Sequence, residues 1–365
     1  MKICHLTVAT RERIPRLVRE VYSASLKGYI NYIVSVGNDD KDDYAEYIGV
    51  RKPKNRLDRF GKLCSEVYKA GCLTNADIFQ IHDPELLRYV RKLKRKGKKV
   101  IFDSHENYLT RIEEREWIPK PFRKLLNSIF LRYMKSTLSQ VDVVLAVNEP
   151  IVASLEKYNP NRYLVTNFPV LRKRILKDDD KYEGFNLCYT GAVSSQWCLN
   201  EIVSVLNDIN GVTTRICGVG TDNYLSVLES NPAWKRMDYL GAVSPIDALL
   251  VQEKSNVGLA ILKYSNNTNG RLGSMGNTKL FEYFMSGIPV ICTEFGCWRD
   301  IIDEYKCGIC VGPDKPEEIK KAIITLRDNP EMVEIMGKNA RRAAEETYNW
   351  ALQGEKLLKI YQTLQ

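Results

Sequence analysis

The chain has 365 residues, of which 44% are hydrophobic and 27% charged, with a formal net charge of +9. That balance excludes a disordered chain, and no apolar run approaches the roughly 20 residues needed to cross a bilayer, so a membrane-spanning helix is excluded as well. The charge is uneven: residues 1–180 hold 35 Lys and Arg against 23 Asp and Glu, a net +12, whereas residues 181–365 hold 19 against 22, a net −3.

In chain order, the run Ile3–Ala9 reads as a first strand, followed by a helix over Arg16–Leu26 and a strand over Tyr29–Val36. Next come a strand Ile78–Ile81, a basic helix Glu85–Arg95, a strand Lys99–Asp103, a long helix Pro121–Ser139 and a strand Val141–Val147. Strands spaced by helices predict a parallel α/β sheet. Several strands end in polar residues, namely His82-Asp83, Asp103-Ser104-His105-Glu106 and Asn148-Glu149, and ligands of open α/β sheets bind at such carboxyl ends. A helix Pro150–Lys157 and a strand Tyr163–Val165 precede the charged stretch Leu171–Lys181, which has no apolar period and reads as a linker.

The pattern then restarts with a strand Asn186–Gly191, a helix Asn200–Leu206, a strand Thr213–Cys217 and a helix Asp222–Leu228. A strand Met237–Leu240, a helix Pro245–Glu253, a strand Val257–Leu262 and a loop Lys263–Asn277 lead to Asn277-Thr-Lys-Leu-Phe-Glu-Tyr-Phe-Met-Ser-Gly-Ile-Pro-Val290. A strand Gly308–Val311 and helices Pro316–Asp328 and Pro330–Thr347 complete the second lobe. The last helix, Trp350–Tyr361, carries Leu352, Leu357, Leu358, Ile360 and Tyr361 on its expected apolar face. The expected domains are 1–168, a linker 169–185, 186–347, and a C-terminal helix 348–365 returning across the hinge to the first domain.

Ten cysteines scattered in apolar runs read as reduced, buried thiols, and the pair Cys307/Cys310 as structural rather than redox-active. Three histidines, His5, His82 and His105, are too few and too dispersed in sequence to suggest zinc. His5 lies inside the first strand and reads as structural; His82 and His105 stand at strand ends and are site candidates. The basic runs Arg51–Arg59, Arg88–Lys99 and Lys120–Lys124 suit an anionic lipid or phosphorylated partner, or else a solvated helix face. They lack the interleaved aromatics of a nucleic-acid surface, and no nucleic acid is expected.

In the second lobe, Gly191, Gly218 with Gly220, and Gly241 each follow a strand, where a missing side chain lets a ligand approach the backbone. A helix opening at Leu280 offers free N–H groups to an anion. Lys279 is then a candidate phosphate counter-ion and Glu282 a candidate bidentate acceptor for two vicinal ribose hydroxyls. The alternative is an ordinary helical ion pair at i, i+3.

These residues carry a resemblance. His5-Leu-Thr7 with Pro15-Arg-Leu17, Gln80–Leu87, Val100–Glu106, Leu187–Gly191, Tyr239–Val243, Asn277–Val290 and Tyr348-Asn-Trp350 resemble the retaining GT-B glycosyltransferases, in particular glycosyltransferase family 4, over essentially the whole length. The resemblance implies two Rossmann-like α/β/α domains facing a central cleft and transfer of a sugar from a nucleotide sugar with retention of anomeric configuration. No cofactor and no metal is implied. By the same resemblance His105, Lys279 and Glu282 form the catalytic set, and Gly191, Gly218, Val243, Ser244, Ser274, Asn277, Thr278 and Leu280 complete the donor site. Arg16, His82, Asp83 and Glu106 are candidate acceptor or phosphate contacts. Two positions depart from the pattern. Ser274 stands where the family commonly has a glutamate on the donor sugar, and the loop Ala192–Cys198 lacks the usual arginine and lysine, leaving the diphosphate to Lys279 with Lys263, Arg271 or Arg16.

The expected function is a cytoplasmic hexosyl- or N-acetylhexosaminyl-transferase using a UDP-sugar, or alternatively a GDP-sugar, peripheral at the inner membrane face. Its expected acceptor is a glycan on polyprenyl diphosphate, an intermediate of capsule or O-antigen. The rivals are a sugar-nucleotide 2-epimerase on the same scaffold and a silent GT-B partner subunit. Donor choice is expected to rest on Val243-Ser244 and 266–277.

Overall fold

A computed structural model describes residues 1–106, 108, 120–176, 180–265 and 268–365, with side chains from residue 123 onward in the helix Lys120–Leu138. The chain divides into two compact units, Met1–Asn167 with Trp350–Gln365, and Phe168–Asn349.

The first unit is built on strands β1 (Lys2–Thr10), β2 (Ile30–Val36), β3 (Asp40–Lys41), β4 (Glu46–Val50), β5 (Ile78–Ile81), β6 (Lys99–Ser104), β7 (Val143–Ala146) and β8 (Arg162–Leu164). Their order in the sheet is β3-β4-β2-β1-β5-β6-β7-β8, parallel throughout except for the pair β3 and β4. β5 and β7 are buried along their whole length, which is why they read as unbroken apolar runs rather than alternating ones. The basic helix expected over Glu85–Arg95 is a 3₁₀ turn, Pro84–Tyr89, running into a short α-helix, Val90–Arg95.

The C-terminal helix, Trp350–Gln362, belongs to this unit. Leu357, Leu358, Ile360, Tyr361 and the following Leu364 pack with Ile3, Ile78, Ile101 and Leu145 from the central strands. Trp350 locks its start by donating Nε1–H to Ser23 Oγ at 2.9 Å, and Gly354 lies so close to Ser23 that a Cβ there would meet its Oγ at 2.7 Å. Leu352, expected on the apolar face, is instead 37% exposed.

The second unit is a six-stranded parallel sheet of β9 (Phe185–Thr190), β10 (Val212–Cys217), β11 (Met237–Gly241), β12 (Val257–Ala260), β13 (Val290–Thr293) and β14 (Gly308–Val311). The order is β11-β10-β9-β12-β13-β14, so the sheet reverses direction of growth between β9 and β12. In doubly wound sheets that reversal opens a crevice at the strand carboxyl ends, where ligands bind. The helix Thr278–Met285 packs beneath it. Tyr283 is fully buried, its ring fills the place a Cβ on Gly258 would take at 2.4 Å, and its hydroxyl reaches the Thr190 N–H at 3.1 Å. Removing such a ring typically costs about 3–5 kcal/mol.

Of the stretch expected to link the lobes, residues 177–179 lie outside the described residues. Residues 172–176 are tied down within the second unit: the fully buried Glu253 pairs with Arg172 and accepts the N–H groups of Ile175 (2.7 Å) and Leu176 (2.9 Å). All ten cysteines are free thiols; Cys292 and Cys310, side by side on β13 and β14, have sulfurs 3.9 Å apart.

Candidate active site

In the second unit the strand ends and one helix opening converge. Gly191 and Gly218 have φ of +136° and +150°, and a Cβ on Gly218 would lie 1.7 Å from the Gly191 carbonyl oxygen, so neither position admits a side chain. The Gly191 N–H donates to Cys217 O at 2.8 Å and the Gly218 N–H to Gly241 O at 2.7 Å, which draws the ends of β9, β10 and β11 into one rim.

The helix opens at Thr278, two residues earlier than expected, because the Asn277 side chain accepts the Lys279 N–H at 3.1 Å and caps it. Thr278 is half-buried in the first turn, and Leu280 contributes only its backbone, since its side chain is fully buried in the core. Lys279 is 7% exposed. Its Nζ donates to Thr190 O and sits 4.2 Å and 4.4 Å from the ring centres of Tyr189 and Trp197. A Cβ on Gly191 would come within 2.2 Å of that Nζ. Burial pulls the Lys279 amine down to about 8, with Glu282 acting in the opposite sense. Glu282 lies half-buried one turn on, and the lysine turns inward to the Thr190 carbonyl instead of forming an ion pair with it.

The other expected donor residues lie around this cradle. Val243 is half-buried, and Ser244 caps the helix Pro245–Lys254 through Asp247 N–H at 3.2 Å. Ser274 presents its carbonyl to Trp298 Nε1 at 3.2 Å, behind the tightly packed Gly273. Lys263 is paired with Glu201 at 3.0 Å, and Arg271 lies over Tyr264 at 4.9 Å. Asn266 and Asn267 lie outside the described residues. Trp197 and Tyr189 were missed by sequence reasoning; the only available signal was an aromatic in the loop that lacks the usual cations.

In the first unit, His5, His82 and His105 form a chain although 77 and 23 residues separate neighbours: His5 Nδ1 is 3.1 Å from His82 Nε2, and His82 Nδ1 is 3.2 Å from His105 Nε2. Asp103, fully buried, lies 2.8 Å from His105 Nε2 and 3.4 Å from His82 Nδ1. Arg16 corrects the expectation of a phosphate contact. It is 3% exposed and spent on Asp103, with Nε to Oδ2 at 2.9 Å and Nη2 to Oδ1 at 3.0 Å, while Nη1 donates to Val165 O at 2.8 Å.

Burial would raise the Asp103 carboxyl, but Arg16 and the histidines hold it well below the usual range; burial lowers His5 strongly and His82. Asp83 is likewise engaged within the fold, accepting Thr7 Oγ1–H at 2.7 Å and the Val8 N–H at 2.9 Å as it fixes the end of β1. Glu106 is exposed, and its carbonyl accepts the Ser104 hydroxyl at 3.0 Å. His82, Asp103 and His105 place potential metal-binding atoms within 4.8 Å of one another, but both Asp103 oxygens already accept from the Arg16 cation, which fills the place a metal would take.

Two parallel-sheet Rossmann-like units in one chain define the GT-B fold, and solved structures bear this out. The chain superposes over 100% of its length on 99% of sucrose-phosphate synthase from Thermosynechococcus elongatus, with a TM-score of 0.77 at 13% identity. It superposes over the full length of both chains on Anabaena HepE in complex with UDP-glucose, with a TM-score of 0.74 at 12% identity. Residues 212–343 match the family of glycosyl transferases group 1. An uncharacterized glycosyltransferase of Methanocaldococcus jannaschii is 22% identical over 299 residues, spanning 75% of this chain and 70% of that protein. These likenesses support a glycosyltransferase that uses a nucleotide sugar. No helix among the described residues is long and apolar enough to cross a membrane.

Proposed function

We propose that this chain is a retaining glycosyltransferase of the family 4 type that transfers a hexose or N-acetylhexosamine from a nucleotide sugar, UDP-linked in preference to GDP-linked, to a glycan acceptor. The observation that supports this most is Lys279. A buried ammonium normally has a carboxylate partner; this one has a carbonyl and two aromatic faces, at the opening of a helix and at the switch point of the sheet. An incoming diphosphate would supply the missing anion. As the bond to the sugar breaks, charge growing on the leaving phosphate would be met by Lys279 and by the N–H groups of the helix opening, with no metal. Glu282 is assigned to the ribose hydroxyls and His105 to the sugar being moved. UDP-glucose bound to the HepE homologue of like fold is the reason for favouring UDP.

The acceptor proposed is a lipid-linked intermediate of a bacterial surface polysaccharide such as capsule or O-antigen, met at the inner membrane face. It rests on the net +12 of residues 1–180.

A thermal-shift screen against UDP, GDP, CMP, dTDP and their sugar conjugates tests the donor reading. A ligand at 100 times its Kd adds about 2.7 kcal/mol of stability. Glu282→Ala should remove about 1.5–3 kcal/mol of that binding, a Kd roughly 10- to 150-fold weaker. An unchanged Kd refutes the ribose assignment, and a product of inverted anomeric configuration refutes retention.

A further inference from the structure

Two buried polar atoms of the first unit have no hydrogen-bond partner and stand on neighbouring side chains: His5 Nε2 and Glu20 Oε1. His5 and Glu20 are both fully buried, and donor or acceptor atoms of His5, Glu20 and His82 lie within 4.8 Å of one another. An orphaned buried acceptor and an orphaned buried donor each cost stability, whereas the same two atoms satisfy each other if one carries a proton.

The surrounding hydrogen bonds fix which one. Asp103 is the anion of the group, because Arg16 binds it through two nitrogens. His105 Nε2, 2.8 Å from Asp103 Oδ2, therefore donates, and His82 Nδ1, facing the same oxygen at 3.4 Å, donates as well. A neutral His82 then has a bare Nε2, which must accept from His5 Nδ1 at 3.1 Å, and a neutral His5 is left with a bare Nε2. On Glu20, Oε2 accepts from Gln80 Nε2 at 2.7 Å, so a proton resides on Oε1. Arg16 Nε is 3.1 Å from that Oε1, but its hydrogen is directed at Asp103.

We propose that Glu20 is held as a neutral carboxylic acid whose proton is donated to His5 Nε2, and that the directed chain from Glu20 through His5 and His82 to Asp103 fixes His105 with its proton on Nε2. His105, 30% exposed at its side chain, then carries an unprotonated Nδ1, an acceptor suited to a sugar hydroxyl. Glu20, His5 and His82 are positioning residues in this scheme. Burial and the neighbouring Asp103 carboxylate both favour the neutral acid, while Arg16 and Arg19 on the same helix oppose it. The remaining titratable group facing Glu20 is Tyr361 of the C-terminal helix, whose hydroxyl donates to Gln80 Oε1 at 2.7 Å.

The bearing on sugar transfer rests on the proposed function; the proton positions do not. Infrared difference spectra at pH 7 should show a carbonyl band of a protonated carboxylic acid that disappears in Glu20→Gln. Nitrogen-15 spectra of the histidine-labelled unaltered protein should show Nδ1–H at His5 and His82 and Nε2–H at His105, so the inference stays testable if the variant fails to fold. Absence of the band, or Nε2–H at His5, overturns the proposal, as does a proton shared only between Glu20 and Asp103. Neither readout needs turnover, so a protein with these proton positions and no transfer activity counts against the transferase reading alone.

Discussion

Lys279 carries its charge in a place that penalises it, and that has a measurable sign. Its folded-state value of about 8 lies below the ordinary value near 10.4, so the folded protein releases this proton before the unfolded chain does. The stability of the ligand-free protein is therefore reduced below pH 8 and recovers between pH 8 and about 10.4; the gap corresponds to about 3 kcal/mol at most. Lys279→Met should raise the urea midpoint of the free protein at pH 7, lose that advantage above pH 10.5, and abolish nucleotide binding. A variant that is destabilised at pH 7 and still binds nucleotide would show the lysine to be a structural residue. Sequence alone reached Lys279, Glu282 and the two strand-end glycines because all four stand in a local strand-to-helix pattern. It did not reach the cage around the lysine or the Glu20–His5 pair, because those contacts join residues whose spacing follows no local period.

Among the elements, the basic runs differ once their partners are known. In Arg51–Arg59, Arg51 is bound by Asp58 at 2.6 Å and Glu66 at 3.1 Å, and Arg59 by Glu85 at 2.9 Å, so much of that charge is spent internally. Side chains 120–122 of the third run are outside the described residues. The helix Val90–Arg95 and its following turn leave Arg95 and Lys99 exposed, whereas Lys94 is held by Asp142 at 2.6 Å. If this surface meets anionic lipid, Arg95→Ser with Lys99→Ser should reduce binding to phosphatidylserine vesicles about tenfold or more, at about 1 kcal/mol per charge, with a steep salt dependence. Unchanged binding would remove the membrane part of the proposal. The strands flanking the basic runs were readable as apolar stretches between turn residues. β3 and β4 were not, because Asp40–Lys41 is too short to show a period and Glu46–Val50 follows a charged turn. The helix Cys64–Leu73 was missed because its inner face includes Gly71, packed against Leu6, where the pattern calls for a large apolar residue.

At the scale of the molecule, the first unit is made of two chain segments and the second of one. Deleting residues 350–365 would strip the cover from Ile3, Ile78 and Ile101 and leave Gln80 without its Tyr361 partner. Loss of several buried large side chains at about 1.5–3 kcal/mol each is comparable with the whole stability of a domain. Calorimetry should therefore show the first unit's transition lost or lowered by more than 10 °C while the second unit's persists; two unaltered transitions would show the helix to be dispensable. The same topology sets an order of events on the ribosome. Residues 1–167 emerge with an apolar sheet face uncovered, and the segment that covers it is synthesised only after the 182 residues from Phe168 to Asn349. At ordinary elongation rates of about 5–20 residues per second, that face waits roughly 10–40 s for its own last helix. The nascent chain is thus a natural client for a chaperone, and the second unit, though encoded later, is the first that can finish folding.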